Sequence, residues 1–170
     1  MNIVLTGLRG SGKSTIGKLL SQSLNWKFID LDDEIEKHEN KKISEIVSEY
    51  GWEYFRKKEK EITKKLTNTD KTVIATGGGT IIDPENEKSL KKNGRIIYLY
   101  EKPDICANRI LNDPNRPPLT NLETVSEEIK QLYKERNIHY CQSAFMIFER
   151  TDNPEKDCKR IIASVLQKTQ

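Results

Sequence analysis

The chain is 170 residues long, with 35% hydrophobic and 32% charged residues and a formal net charge of +3 at pH 7. That length suffices for one domain with its own apolar core, and charges scattered in mixed sign exclude a disordered tail. A pI near 8.6 suits anionic small molecules and is too weakly basic to indicate nucleic acid as a partner.

The three cysteines, Cys106, Cys141 and Cys158, are odd in number and form no CxxC, so neither a disulfide framework nor a zinc site is expected. The first residues lack the basic flank and the apolar length of a signal peptide. No later run is long enough to cross a membrane, so a cytoplasmic address is expected.

In chain order, Ile3-Val4-Leu5 reads as the first strand. It runs directly into Gly7-Leu8-Arg9-Gly10-Ser11-Gly12-Lys13-Ser14, a full GxxxxGK[ST] pattern between a strand and a helix. In that context Gly10, Ser11 and Gly12 turn backbone N–H groups onto a β-phosphate, Lys13 reaches the β/γ oxygens, and Ser14 ligates Mg²⁺. The motif names a nucleotide and leaves the reaction open.

Ile16, Leu19, Leu20 and Leu24 form the apolar stripe of the following helix. The second strand, Lys27-Phe28-Ile29, ends in Asp30-Leu31-Asp32-Asp33. Residues two apart on an extended chain face one side, so Asp30 and Asp32 are expected at one site, to hold Mg²⁺ through water or to orient an acceptor hydroxyl. The alternative for an aspartate here is a helix N-cap, which suits Asp33 best. A helical, charge-rich insertion, about 33–66, follows, with Ile43, Ile46, Val47 and Tyr50 as a core stripe. Arg56 and Glu59 are three apart, the spacing of a helical ion pair.

Thr72-Val73-Ile74-Ala75 is the third strand. It leads to Gly77-Gly78-Gly79, where no side chain keeps a ligand from the backbone. Arg95-Ile96-Ile97-Tyr98-Leu99 is the fourth, and the Pro-flanked stretch from Asn112 to Thr120 reads as a loop. In the helix of Val125, Ile129, Leu132 and Tyr133, Arg136 falls on the inward stripe and needs an anion, either a ligand carboxylate or an internal acid. Phe145-Met146-Ile147-Phe148 is the fifth strand. Cys158, Ile161, Ile162, Val165 and Leu166 mark the last helix. His38 and His139 lack metal-ligand spacing. Nearly unbroken apolar strands alternating with helices indicate a three-layer αβα sandwich around a five-stranded parallel sheet, one domain over 1–170.

The ordered set of Gly12-Lys13-Ser14-Thr15, Phe28-Ile29-Asp30-Leu31-Asp32, Phe55-Arg56-Lys57-Lys58-Glu59, Gly77-Gly78-Gly79, Arg116-Pro117, and Arg136 with Tyr140 and Ala144 resembles the shikimate kinase family, of the P-loop kinase type, over essentially the whole chain. The resemblance implies transfer of the ATP γ-phosphoryl group to the shikimate 3-hydroxyl, giving 3-phosphoshikimate and ADP in aromatic amino-acid biosynthesis. It implies shikimate binding by Asp32, Arg56, the Gly77–Gly79 triplet and Arg136, with Asp30 and Ser14 at Mg²⁺. ATP would be held by the phosphate loop through Thr15, by Arg109 over the adenine, by Asn153, and by Arg116 in a lid at about 112–124. Lys13, Asp32 and Arg116 would be the catalytic groups. A monomer without nucleic-acid or membrane partners is expected. Another small-molecule kinase, for a sugar acid or a nucleoside monophosphate, or a silent nucleotide-binding regulator are the competing readings.

Overall fold

The computed structural model describes residues 1–111 and 124–167, without the side chains of 166–167. Five strands, β1 (Asn2–Thr6), β2 (Lys27–Asp30), β3 (Thr72–Ala75), β4 (Gly94–Tyr100) and β5 (Met146–Glu149), form one sheet in the order β2-β3-β1-β4-β5, parallel throughout. The central β1 and β3 are buried at every residue, whereas the edge strands β2 and β5 each bury one, Ile29 and Phe148. Each expected strand is present. The fifth begins one residue later than expected, although the Phe145 N–H already bonds to the Ile96 carbonyl at 2.8 Å.

Helices cover both faces. α1 (Lys13–Leu24) and α7 (Pro154–Gln167) pack Ile16, Leu20, Cys158, Ile161 and Val165 against one side of the sheet. The other side is covered by α2 (Leu31–Glu39), α3 (Ile43–Leu66), α4 (Pro84–Asn93), α5 (Pro103–Ile110) and α6 (Val125–Ser143). Full burial of a Leu or Ile side chain is worth about 1.5–3 kcal/mol, so these two apolar layers carry most of the stability. Several helices start where the sequence supplies a cap. Asp83 accepts from the N–H groups of Glu85 and Asn86, with Pro84 in the first turn, and the Thr124 hydroxyl accepts from Glu127 N–H.

The inserted helical unit differs from expectation at its start and at Tyr50. Its first helix begins at Leu31, and its N-cap is Asp30, whose Oδ1 accepts from Asp32 N–H at 3.1 Å, rather than Asp33. The extended chain therefore ends at Asp30, and Asp32 stands in the first helical turn. Tyr50 is 47% exposed instead of lying on the core stripe, because the next residue, Gly51, breaks α3 with φ 81 and ψ 170 and turns the helix face. The expected loop and lid, with Asn112, Arg116 and Pro117, lie outside the described residues apart from Thr124.

Candidate active site

The phosphate loop joins β1 to α1 at the C-terminal edge of the sheet, where an open α/β fold places its ligand crevice. Gly10 and Gly12 adopt φ 81 and 88, open to glycine and strained for other residues. Lys13 Nζ donates to the carbonyls of Gly7 and Leu8, at 3.0 and 2.8 Å, so the ammonium lies across the mouth of its own loop. Ser14 Oγ donates to Asp30 Oδ2 at 2.6 Å. This hydroxyl and carboxylate are hard oxygen donors of the kind Mg²⁺ takes alongside phosphate and water. Burial, and then the neighbouring Asp30 charge, raise the Asp33 carboxyl above its usual range.

A cavity of about 490 Å³ opens beside the loop, and nearly all the expected site residues meet there. Lys13, Ser14, Thr15, Asp30, Asp32, Arg56, the three glycines 77–79, Arg109 and Arg136 line it, together with Gly10 and Gly12. Ser11 is fully buried beneath and contributes backbone only. Asn153 lies apart, on a second cavity of about 740 Å³ formed by α1 and residues 152–155, where its Oδ1 also caps α7 by accepting from Lys156 N–H at 3.0 Å.

Across the cavity from the phosphate loop, Arg56 is fixed from below. Its guanidinium NH1 bonds Glu59 Oε2 at 2.7 Å, and Glu59, 1% exposed, accepts from the Thr80 hydroxyl at 2.6 Å through its other oxygen. The rings of Phe55 and Trp52 lie 5.1 and 5.7 Å from the guanidinium carbon. The sequence spacing showed the ion pair; the Thr80 anchor and Trp52 carried no local signal.

Arg136 faces the same cavity half-buried, and no carboxylate among the described residues bonds it, which favours the ligand-anion alternative. Four residues along, the buried Tyr140 hydroxyl donates to the Gly78 carbonyl at 2.5 Å, tying α6 to the glycine triplet. Burial pushes the Tyr140 hydroxyl up to about 12, partly offset by Arg136, so it remains a donor across the physiological range.

Ion pairs also tie the phosphate loop to the surrounding helices. Arg9 pairs with Glu128 of α6 at 3.0 Å, both largely buried. Arg109 NH2 meets Glu101 Oε2 at 2.9 Å while its NH1 donates to the Gly10 carbonyl at 3.1 Å. Sequence reading singled out Arg109 and missed the Arg9–Glu128 pair, whose members are 119 residues apart. His38, beside Glu39, and the exposed His139 take no part in the cavity, and no group of three or more His, Cys, Asp or Glu among the described residues could hold a metal.

A P-loop with aspartates and arginines facing one cavity is an arrangement for moving a phosphoryl group to a small anionic acceptor, and comparison with known proteins agrees. The family model for shikimate kinase matches residues 9–166. The shikimate kinase of Persephonella marina is 38% identical over 96% of this chain and 98% of its own length. The bifunctional shikimate kinase/3-dehydroquinate synthase of Thermotoga maritima is 44% identical over 84% of this chain and 28% of that longer protein. Among solved structures, shikimate kinase from Acinetobacter baumannii in complex with shikimate superposes with a TM-score of 0.94 at 32% identity, covering 98% of this chain and 93% of that one. The enzyme from Aquifex aeolicus gives 0.86 at 35% identity, covering 99% and 98%. With the motifs, the fold and the cavity in agreement with these relatives, the chain belongs to the shikimate kinase family.

Proposed function

We propose that the chain transfers the γ-phosphoryl group of Mg·ATP to the 3-hydroxyl of shikimate, giving 3-phosphoshikimate and ADP on the route to aromatic amino acids. The observation that carries this reading is the convergence of Arg56 and Arg136 with Asp32 on the cavity that the P-loop closes. One carboxylate and several hydroxyls are what two guanidinium forks and an aspartate recognise.

Lys13 follows the β/γ oxygens, leaving the loop carbonyls it now caps, and Ser14 and Asp30 hold the cation. Bound Mg²⁺ supplies charge neutralisation on the phosphoryl oxygens. Asp32 orients the acceptor hydroxyl and takes up its proton as the bond to phosphorus forms. Arg56, held by Glu59, and Arg136 pair with the acceptor's carboxylate, while the glycine triplet admits its ring against the backbone. Arg109 and Asn153 serve the nucleoside end. Arg116, outside the described residues, belongs by resemblance to a lid that stabilises the transferring group and excludes water. One domain, a monomeric state and a cytoplasmic location accompany this reading; among the described residues no helix is long and apolar enough to cross a membrane.

A steady-state assay of ADP release with shikimate as acceptor tests it. Asp32→Asn is expected to lower kcat by about a hundredfold or more while ADP affinity stays within about twofold. Full activity of that variant removes Asp32 from the mechanism. Activity on another acceptor and none on shikimate overturns the acceptor assignment, and ADP binding without any turnover leaves a nucleotide-binding regulator.

A further inference from the structure

Beneath the phosphate loop, outside the cavity, lies a buried cation. Arg150 follows β5 immediately, and its side chain is 5% exposed. Its NH1 donates to the Ser11 carbonyl at 3.0 Å, 139 residues away in sequence. Its Nε has no hydrogen-bond partner of its own and stands 3.5 Å from Asp157 Oδ2. Asp157 is completely buried; it accepts from Thr151 N–H at 3.0 and 3.2 Å and from the Thr151 hydroxyl at 2.8 Å, and its Oδ1 stands 3.9 Å from NH1 of Arg160 one helical turn on.

The carbonyl that Arg150 holds has a specific consequence. In a trans peptide the C=O and N–H point in opposite directions, so fixing the Ser11 oxygen fixes the Gly12 N–H at the other end of the same plane. A charged donor on the oxygen also polarises the peptide and strengthens that N–H as a donor. The guanidinium fills the space over Gly12 as well, where an added Cβ would collide with NH1. The absence of a side chain at Gly12 thus admits Arg150 as well as the loop's turn.

We propose that Arg150 is a positioning residue for the nucleotide. It locks the Ser11–Gly12 peptide so that the Gly12 N–H is presented to the phosphates, and through Asp157 and Thr151 it joins that peptide to the wall of residues 152–155 on the nucleoside side. This rests on the ATP reading above, since it assigns no ligand of its own. An exposed ion pair would not have this effect, because solvent would screen it and the fork would wander; here both charges are enclosed.

The test is ADP titration by calorimetry together with KM for ATP and for shikimate, on the whole chain and on Arg150→Lys, Arg150→Gln and Asp157→Asn. For Arg150→Gln, ADP affinity is expected to fall roughly tenfold or more and KM for ATP to rise in parallel, with KM for shikimate within about twofold. Arg150→Lys should recover part of the loss, because it keeps the charge but lacks a planar fork that serves Ser11 and Asp157 at once. Asp157→Asn, which retains the buried shape, should weaken ADP binding by a smaller factor. If Arg150→Gln fails to fold, Arg150→Lys decides: unchanged ADP affinity in a folded Lys variant overturns the proposal. So does an equal rise in both KM values, which marks general loosening. Absence of ADP binding in the unsubstituted chain would instead sink the ATP reading itself.

Discussion

Gly79→Ala displaces the Arg56 guanidinium without replacing it, and so tests the acceptor role proposed for it. Gly79 has φ −102 and ψ −10, a conformation open to alanine, so the backbone needs no adjustment and the unfolded chain loses a little freedom. The added Cβ would lie 2.6 Å from Arg56 NH2, 2.9 Å from NH1 and 3.0 Å from the guanidinium carbon. Ordinary contact begins near 3.5 Å, so the fork must withdraw by about 0.5–1 Å. Its bond to Glu59 is 2.7 Å, and that displacement breaks the alignment that presents the other guanidinium edge to a carboxylate. A charge-assisted bond is worth about 1.5–3 kcal/mol, and because Arg56 is 37% exposed the lower figure applies, which corresponds to roughly a tenfold rise in KM for shikimate. The assay is ADP release at saturating ATP with shikimate varied, repeated with ATP varied, beside a thermal melt. KM for ATP and Tm should barely change. A KM for shikimate within twofold of the unsubstituted protein refutes the acceptor role of Arg56, and a parallel rise in both KM values refutes the locality of the effect.

Tyr140→Phe leaves the Gly78 carbonyl without its donor inside the protein and should lower unfolding free energy by about 1–2 kcal/mol, read as a reduced urea midpoint at unchanged slope. Gly51→Ala meets no atom within 4 Å, so only its φ of 81 and ψ of 170 resist the substitution; a loss of about 1–3 kcal/mol in the same measurement is expected, and no loss would mean that the kink relaxes. The Glu39 carboxyl is held down to about 2, first by the Tyr54 hydroxyl and then by His38 and Lys58. Its ionised form therefore stabilises the fold fully above the unfolded carboxylate value near 4.3, and that contribution is lost as pH falls from there towards 2. Glu39→Gln should be less stable at pH 7, by on the order of 1 kcal/mol after screening, and should lose less stability between pH 5 and pH 2. A variant with the same acid profile as the unsubstituted chain contradicts the assignment.

The phosphate loop was legible because its requirements are local: a strand, a turn that needs glycine, and a helix start stand side by side in the chain. The strands were legible from apolar runs, but their order was not, since Ile3 pairs with Val73 on one side and Arg95 on the other by packing that no local pattern encodes. The acidic run Asp30-Leu31-Asp32-Asp33 misled in one respect. Three aspartates near a helix start make several caps plausible, and the choice of Asp30 follows from β2 ending there. Tyr50 misled because the apolar stripe was read through Gly51 as though the helix were straight. Arg56 and Glu59 could be paired from spacing alone, whereas Arg150 is a single basic residue at a strand end, and only the folded chain brings it to Ser11.

Asp30 spends one oxygen on the cap of α2 and the other on the Ser14 hydroxyl. One short side chain therefore sets the span between the phosphate loop and the helix that carries Asp32. That span acts as a ruler with a single graduation. Glutamate would keep the charge and the two accepting oxygens yet lengthen the ruler by one methylene, and the phosphate loop and the Asp32 helix would no longer be in gauge. The placement of Asp32 against the phosphate loop thus depends on a length as well as on a charge.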